Sequence, residues 1–325
     1  KIIRLNSDGS VDTSFNAGSG FNDDFTYGIV QQTDGKVVII GFFTSYNGVL
    51  ANKIIRLNSD GSVDTSFNAG SGFGSGTPTK IAIQSDNKLI ITGSFTSYNG
   101  SPINKIIRLN SDGTRDASFN PGSGFSSDSE INGLGVLSNG QIIVAGNFNS
   151  YNNVSCPMMI KLNSNGTIDT SFHYTSTGTS SKYINAMHIT LDLISGADKI
   201  TIAIYDGSTN TSGLERYLYN GYLDTVILSG SSTNAVNGII AAIHLLKSNP
   251  VDLYLLSGTF TELRTSSGNI PANRIIRIDS NGNKDNTFNY GTGFINGSNI
   301  VGANVIIFQT NGKYLLGGGF TVYNG

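Results

Sequence analysis

Tryptophan is absent from the 325-residue sequence, and cysteine occurs once, at Cys156. One thiol forms no internal disulfide, so a small cross-linked scaffold is excluded. Charged residues make up 13%, about half the usual globular share, and the formal charge is -2. No basic run is present, so the sequence lacks the cationic footprint that nucleic acid requires. The longest apolar run, residues 238–246, includes His244 and is too short for a membrane-spanning helix. No window of helical length carries a 3.6-residue period. No leader segment is visible, and the chain opens on Lys1 inside a strand-like stretch, so it is expected to be a piece of a longer protein. Glycine is plentiful at 41 residues, and a hydrophobic share of 38% is enough for a packed core. Length alone suggests roughly two domains.

Internal repetition overrides that prior. Residues 1–21 recur unchanged as 53–73, and the opening phrase K-I-I-R-L-N returns at Lys105, as M-M-I-K-L-N from Met158, faintly from Leu214, and as R-I-I-R-I-D from Arg274. The chain divides into 1–52, 53–104, 105–157, 158–213, 214–273 and 274–325, six units that account for every residue. One repeat array is expected in place of two domains.

Each unit reads as four short strands. In the first complete one, Tyr27–Gln32, Lys36–Phe43, Lys53–Asn58 and Val63–Phe67 are separated by Asp34-Gly35, Tyr46-Asn47-Gly48 and Asp60-Gly61 turns. Continuous β-branched runs bounded by Gly and Asn suit strands buried on both faces. A Gly-containing three-residue loop at Ser7-Asp8-Gly9 sets Arg4 opposite Asp12, and the spacing recurs as Arg56/Asp64, Arg108/Asp116, Lys161/Asp169 and Arg277/Asp285. In the fifth unit the turn reads as shortened to Asn220-Gly221, which pairs Tyr217 with Asp224. An opposed pair on a hairpin contributes roughly 0.2–1 kcal/mol, so Arg56→Ala is expected to cost little. The terminal units are good copies, whereas an open array needs polar caps. The chain starts on the third and fourth strands of a unit and stops after the first and second, 299–309 and 313–323. The expectation is an all-β, six-bladed β-propeller of four-stranded antiparallel blades, its closing blade shared two plus two by the terminal strands.

The pattern I-x-Q-x-D-G-K, then G-x-F-T-x-Y-N-G, then I-x-R-L-N-x-D-G-x-x-D-x-S-F resembles the delta-60 β-propeller repeat, strongly in units one to three and six, partially in the fourth and faintly in the fifth. The resemblance implies a module of large secreted or surface proteins of bacteria, or of virion and tail proteins of bacteriophages. It brings no catalytic residues.

Candidate chemistry is sparse. The Asn6-x-Asp8-Gly9-x-x-Asp12 string has calcium-loop composition but lacks the distal bidentate Glu, and the hairpin reading accounts for each residue. His173, His188 and His244 have no repeated carboxylate partner and read as packed or surface side chains. The Gly70–Gly76 stretch precedes a strand and reads as a flexible connection, not a phosphate loop. No metal or cofactor is expected. Binding is better supported than catalysis: Tyr46, Tyr98, Tyr151 and Tyr323 recur on connections of one loop face, joined by Arg264 in an extended fifth-unit connection. Such residues suit an adaptable contact surface, though a Tyr-Asn-Gly turn that merely serves its blade explains them as well. The reading is a non-enzymatic structural or interaction module, extracellular, on a cell surface or on a virion, such as a phage tail component or a bacterial adhesin. Its partner is a glycan, a receptor or a neighbouring subunit, without nucleic acid or membrane insertion. The competing reading is a glycan-processing hydrolase near the divergent fourth and fifth units, drawing on Glu215, Asp224, Asp252 or Glu262.

Overall fold

A computed structural model describes residues 2–6, 10–22, 25–175, 181–192, 196–246, 251–295, 302–308, 314–318 and 322–323. The Ser7-Asp8-Gly9 turn and parts of the last two expected strands lie outside these residues. No helix occurs among the described residues. The chain forms two compact units, one of residues 1–143, 148–156 and 161–169, the other of 144–147, 157–160 and 170–325.

Small antiparallel sheets recur along the sequence. The first runs Phe25–Gln31, Val37–Phe42, Ile54–Leu57, and the second Pro78–Ile83, Leu89–Gly93, Ile106–Leu109. A third is built from Glu130–Val136, Ile142–Asn147 and Met159–Leu162. The fourth comprises Lys182–Asp192, Ala197–Asp206, Thr211–Leu218 and Leu223–Leu228. The fifth runs Ile240–Leu246, Leu253–Gly258, Ile275–Asp279, and a last hairpin pairs Ala303–Phe308 with Tyr314–Gly318. A one-residue bulge falls at the same place in the first strand of each sheet whose register is resolved, at Tyr27, Thr79, Asn185, Ala241 and Asn304.

The central strand of the first sheet buries Val38, Ile39 and Ile40 in succession, because both of its faces are covered. In the first unit, Val38, Ile40 and Ile54 of one sheet meet Leu89, Ile91 and Ile107 of the next. The second unit has its own core around Leu214, Ile243, Leu255 and Ile276.

Two expectations are corrected. The typical sheet has three laddered strands, and its fourth segment joins through a single bridge such as Leu57↔Val63 or Leu109↔Arg115. The reason is the Asp-x-Ser-Phe corner: Asp64 accepts hydrogen bonds from the Ser66 amide and hydroxyl at 3.0 and 2.7 Å, which curls the backbone out of the ladder. The fifth-unit turn, moreover, is not shortened. Leu218 N–H donates to the Tyr222 carbonyl at 2.9 Å, as Asn58 N–H does to Ser62, and Arg216, not Tyr217, pairs with Asp224. With Val226 replacing the corner serine, this segment straightens into the regular fourth strand Leu223–Leu228.

Candidate functional site

The recurring tyrosines do not form a contact surface. Tyr46, Tyr98 and Tyr151 are 0, 2 and 1% exposed. Their hydroxyls donate to the carbonyls of Gly61, Gly113 and Gly166 at 3.0, 2.6 and 2.7 Å, and their rings meet Phe21, Phe73 and Phe125 edge-on. A ring held between a phenylalanine and the next hairpin turn serves packing, since a buried hydroxyl needs its acceptor. Tyr323 repeats the contact with Phe294 but is 40% exposed. Arg264 is half-buried on the strand Glu262–Thr265, which pairs with Gly268–Pro271 and with Ala235–Val236 in the fourth sheet. The extended connection is therefore a hairpin. The Gly70–Gly76 stretch is likewise ordered: Phe73 is buried, and Gly74 N–H donates to the Ser97 carbonyl at 3.1 Å.

The Arg–Asp pair is also more than an exposed hairpin contact. Arg56 Nε donates to Asp64 Oδ2 at 2.7 Å, Nη1 to Gln32 Oε1 at 3.0 Å and to the Ser111 carbonyl, and Nη2 to Ser66 Oγ at 3.1 Å. Its guanidinium lies 4.9 Å from the Phe67 ring centroid, and Lys36 Nζ reaches Asp64 at 2.9 Å. Arg56 and Asp64 are both buried. Arg108 repeats the arrangement with Asp116, Gln84, Ser118, Phe119 and the Ser164 carbonyl. Burial alone would raise the Asp64 pKa, but the bonds from Lys36, Ser66 and Arg56 outweigh it and hold the carboxyl well below the ordinary range. Ser111 and Ser164 belong to the following repeat, so each arginine latches one repeat to the next.

In the fifth repeat the latch is rebuilt. Arg216 Nε donates to Asp224 Oδ2 at 2.5 Å, and its Nη1 to Asp252 Oδ2 at 3.4 Å and to the Tyr254 hydroxyl at 2.9 Å. Lys199 lies 3.4 Å from Asp224 and 3.1 Å from Asp192. Of the four acids singled out above, Asp224 and Asp252 thus share one guanidinium. Glu215 accepts from the Tyr217 hydroxyl at 2.5 Å and Glu262 from Asn269 at 3.1 Å. Glu215, Asp206 and Lys182 border a cavity of about 30 Å³, room for a water or two and no more. A larger cleft of about 400 Å³ lies beside Ser94, Asn104, Ser126 and Ser150, and its Lys105 ammonium is engaged by the Ser127 and Ser129 carbonyls. Burial pushes the Cys156 thiol up to about 11, far from a reactive thiolate. Burial, with a smaller contribution from His244, lowers His188 to about 4; the two rings lie 5.3 Å apart.

The outward side of the same hairpin is where the repeat departs most from its copies. His173 N–H donates to the Asn220 carbonyl at 2.8 Å, just as Asn16, Asn68 and Asn120 donate to Asp60, Asp112 and Asn165. Gly221, at a φ of 89°, fills the left-handed turn position, and a Cβ there would meet the His173 and Tyr174 amides within 2.9 Å. The backbone is therefore retained while the side chains change. Tyr222 stands where the other repeats carry Ser10, Ser62, Thr114, Thr167 and Asn283, and Tyr219 stands in the place of Ser59, Ser111 and Ser164. His173 replaces Asn16, Asn68 and Asn120, and its ring stacks on Tyr222 at 4.7 Å and 25°. Tyr219 and Tyr222 are 43 and 53% exposed, and Leu223 and Val226 beside them are exposed too. The shortened-turn alignment hides these substitutions; placing Arg216 on Arg4 reveals them.

Comparison with known proteins agrees with the recurring sheets. The chain is similar to the family model described as "Domain of unknown function (DUF5122) beta-propeller" over residues 1–15, 32–67, 84–119, 137–172 and 255–288, just under half its length. The stretch between the last two matches contains the aromatic hairpin. No curated protein matches the sequence. Among solved structures it is similar to "Structure of Dos1 propeller", with a TM-score of 0.49 and 12% identity over 82% of this chain and 62% of that one. The fold is all-β, assembled from repeats of the β-propeller kind.

Proposed function

We propose that this chain is a non-enzymatic interaction module whose binding surface is the fifth-repeat hairpin around His173, Tyr219 and Tyr222. The observation that carries the reading is the hairpin itself: its scaffold hydrogen bonds match those of its copies, while its outward polar side chains are exchanged for exposed rings. The buried replacements, such as Ile227 for Phe67, serve the blade, whereas exposed rings at turn positions serve a partner better than they serve the blade. The module belongs to a delta-60-type propeller protein on a cell surface, secreted or on a virion, where low charge and abundant Asn, Ser and Thr fit an exposed role. Binding of a glycan, a receptor or a neighbouring subunit is its function. An antibody to the chain is expected to label intact cells or particles without permeabilisation; labelling only after lysis sinks the location.

Against a hydrolase stands the pairing of Asp224 and Asp252 on the one guanidinium of Arg216, which ties both carboxylates into ion pairs in place of facing each other across a cleft. Release of reducing ends from glycan substrates by the purified chain would overturn that reading.

Six blades closing two plus two complete the proposal. Its support is that Ile3 is 62% exposed where its counterpart Ile55 is 5% exposed, and that Tyr323 lacks the burial of Tyr46. Removing residues 299–325 is then expected to strip amide-exchange protection from Leu5 and Val11; unchanged protection means an open array.

A further inference from the structure

We propose that the fifth-repeat hairpin is a saccharide-binding site for neutral hexose oligosaccharides, an inference that rests on the interaction-module reading above. Two features select this ligand class. The first is the stacked pair of His173 and Tyr222, 4.7 Å apart with planes 25° from parallel, with Tyr219 on the same turn. A ring fixed by stacking presents its other, electron-rich face at little entropic cost, and the C–H face of a pyranose carries the complementary partial positive charge.

The second is the charged array beside the rings. Lys199 lies across the ladder from Leu218, whose amide donates to the Tyr222 carbonyl at 2.9 Å, so the array borders the turn. It holds the carboxylates of Asp192, Asp224 and Asp252 and the cations of Lys199 and Arg216. Carboxylates and guanidinium bond sugar hydroxyls strongly. The carboxylates of Asp192, Asp224 and Asp252 beside the rings repel the carboxylate of uronic and sialic acids, which favours neutral sugars. At the equivalent positions of the described turns, Asn68 and Thr114, and Asn120 and Thr167, stand in place of His173 and Tyr222, without a ring.

The test is calorimetric titration of the whole chain with gluco-, galacto- and manno-configured hexasaccharides, and with sialyllactose and oligogalacturonate as acidic probes. The His173→Asn/Tyr222→Ser double variant restores the residues that other repeats carry, so it is expected to melt with the wild type. The expected result is binding of at least one neutral hexasaccharide, weakened at least tenfold in the double variant, with the acidic probes bound more weakly. Failure of every neutral probe to bind at up to roughly 10 mM overturns the proposal, as does equal binding by the double variant or a preference for the acidic probes. A wild type that sediments as a dimer and a double variant that sediments as a monomer also overturn it, assigning the rings to self-contact. Retention of both forms on intact cells or particles leaves the module reading standing while the saccharide site falls.

Discussion

The second and fifth repeats solve one local problem in two ways. Both must neutralise an aspartate at the foot of a hairpin, and both do so with an arginine eight residues earlier. In the second repeat, Arg56 is buried, stacked on Phe67 and tied to the Ser111 carbonyl of its successor, so the charge pair is part of the joint between repeats. In the fifth, Arg216 spreads over Asp224, Asp252 and Tyr254 near the surface, and the place of Phe67 is taken by Ile227. The same spacing therefore supports a rigid joint in one place and an outward-facing ionic array in the other. What decides is whether the corner serine and phenylalanine are kept.

The largest effect separates the two arginines. Arg56→Ala leaves the buried Asp64 with Lys36 alone for a cation and unties Gln32 and the Ser111 carbonyl, and is expected to cost about 3 kcal/mol, the low end for breaking a buried pair, read as lost exchange protection at Ile91 and Ile107. Arg216→Ala leaves Asp224 with Lys199 in a more open site and should cost about 1–2 kcal/mol; equal losses would erase the distinction. Acid gives the next contrast. Histidine occurs only at 173, 188 and 244, all in the second unit. The folded pKa of His188 is lowered to about 4 from an unfolded value near ~6.5, so the fold favours the neutral ring. That contribution is complete above ~6.5 and is lost as pH falls from there to about 4, a destabilisation on the order of 2–3 kcal/mol. Asp64 is depressed, so its contribution stands above the unfolded value near ~3.9 and fails only in stronger acid. Between pH 6.5 and 4, amides of Ile200 and Leu255 should lose protection before those of Ile91 and Ile107, and His188→Gln should reduce the difference to the share left by His244, whose pKa burial also lowers.

Tyrosines come third. Tyr98→Phe leaves the Gly113 carbonyl without its buried donor and should cost about 1–3 kcal/mol. Tyr222→Ser removes an exposed ring and should change stability by no more than about 0.5 kcal/mol, the smallest effect of the set. A large loss at Tyr222 would show that its ring supports the blade after all.

The repeats, the turns at Asp-Gly and Asn-Gly and the Arg–Asp spacing are all legible in the sequence, because each is a local pattern. The depth of Arg56 is not, since the Ser111 carbonyl that receives it lies 55 residues away. Tyr46 illustrates a second limit: a tyrosine beside a turn presents its ring to solvent or to the next hairpin, and only the Gly61 carbonyl settles which. The exposed rings of the fifth repeat are hidden by a third limit, the alignment. One misplaced residue in the fifth repeat set Tyr217, a buried side chain at the position of Leu57, in the place of an arginine, and concealed the rings at Tyr219 and Tyr222.

The latch from Arg56 to Ser111, repeated from Arg4 to Ser59 and from Arg108 to Ser164, points one way along the chain. During synthesis each of these three repeats therefore emerges with its arginine still waiting for a carbonyl not yet translated. At the roughly 5–20 residues per second of translation, a successor of about fifty residues emerges seconds later. Each of these latches is thus completed from the repeat that follows, and a pause before Ser111 or Ser164 is translated leaves the cation of Arg56 or Arg108 without its carbonyl on the growing chain.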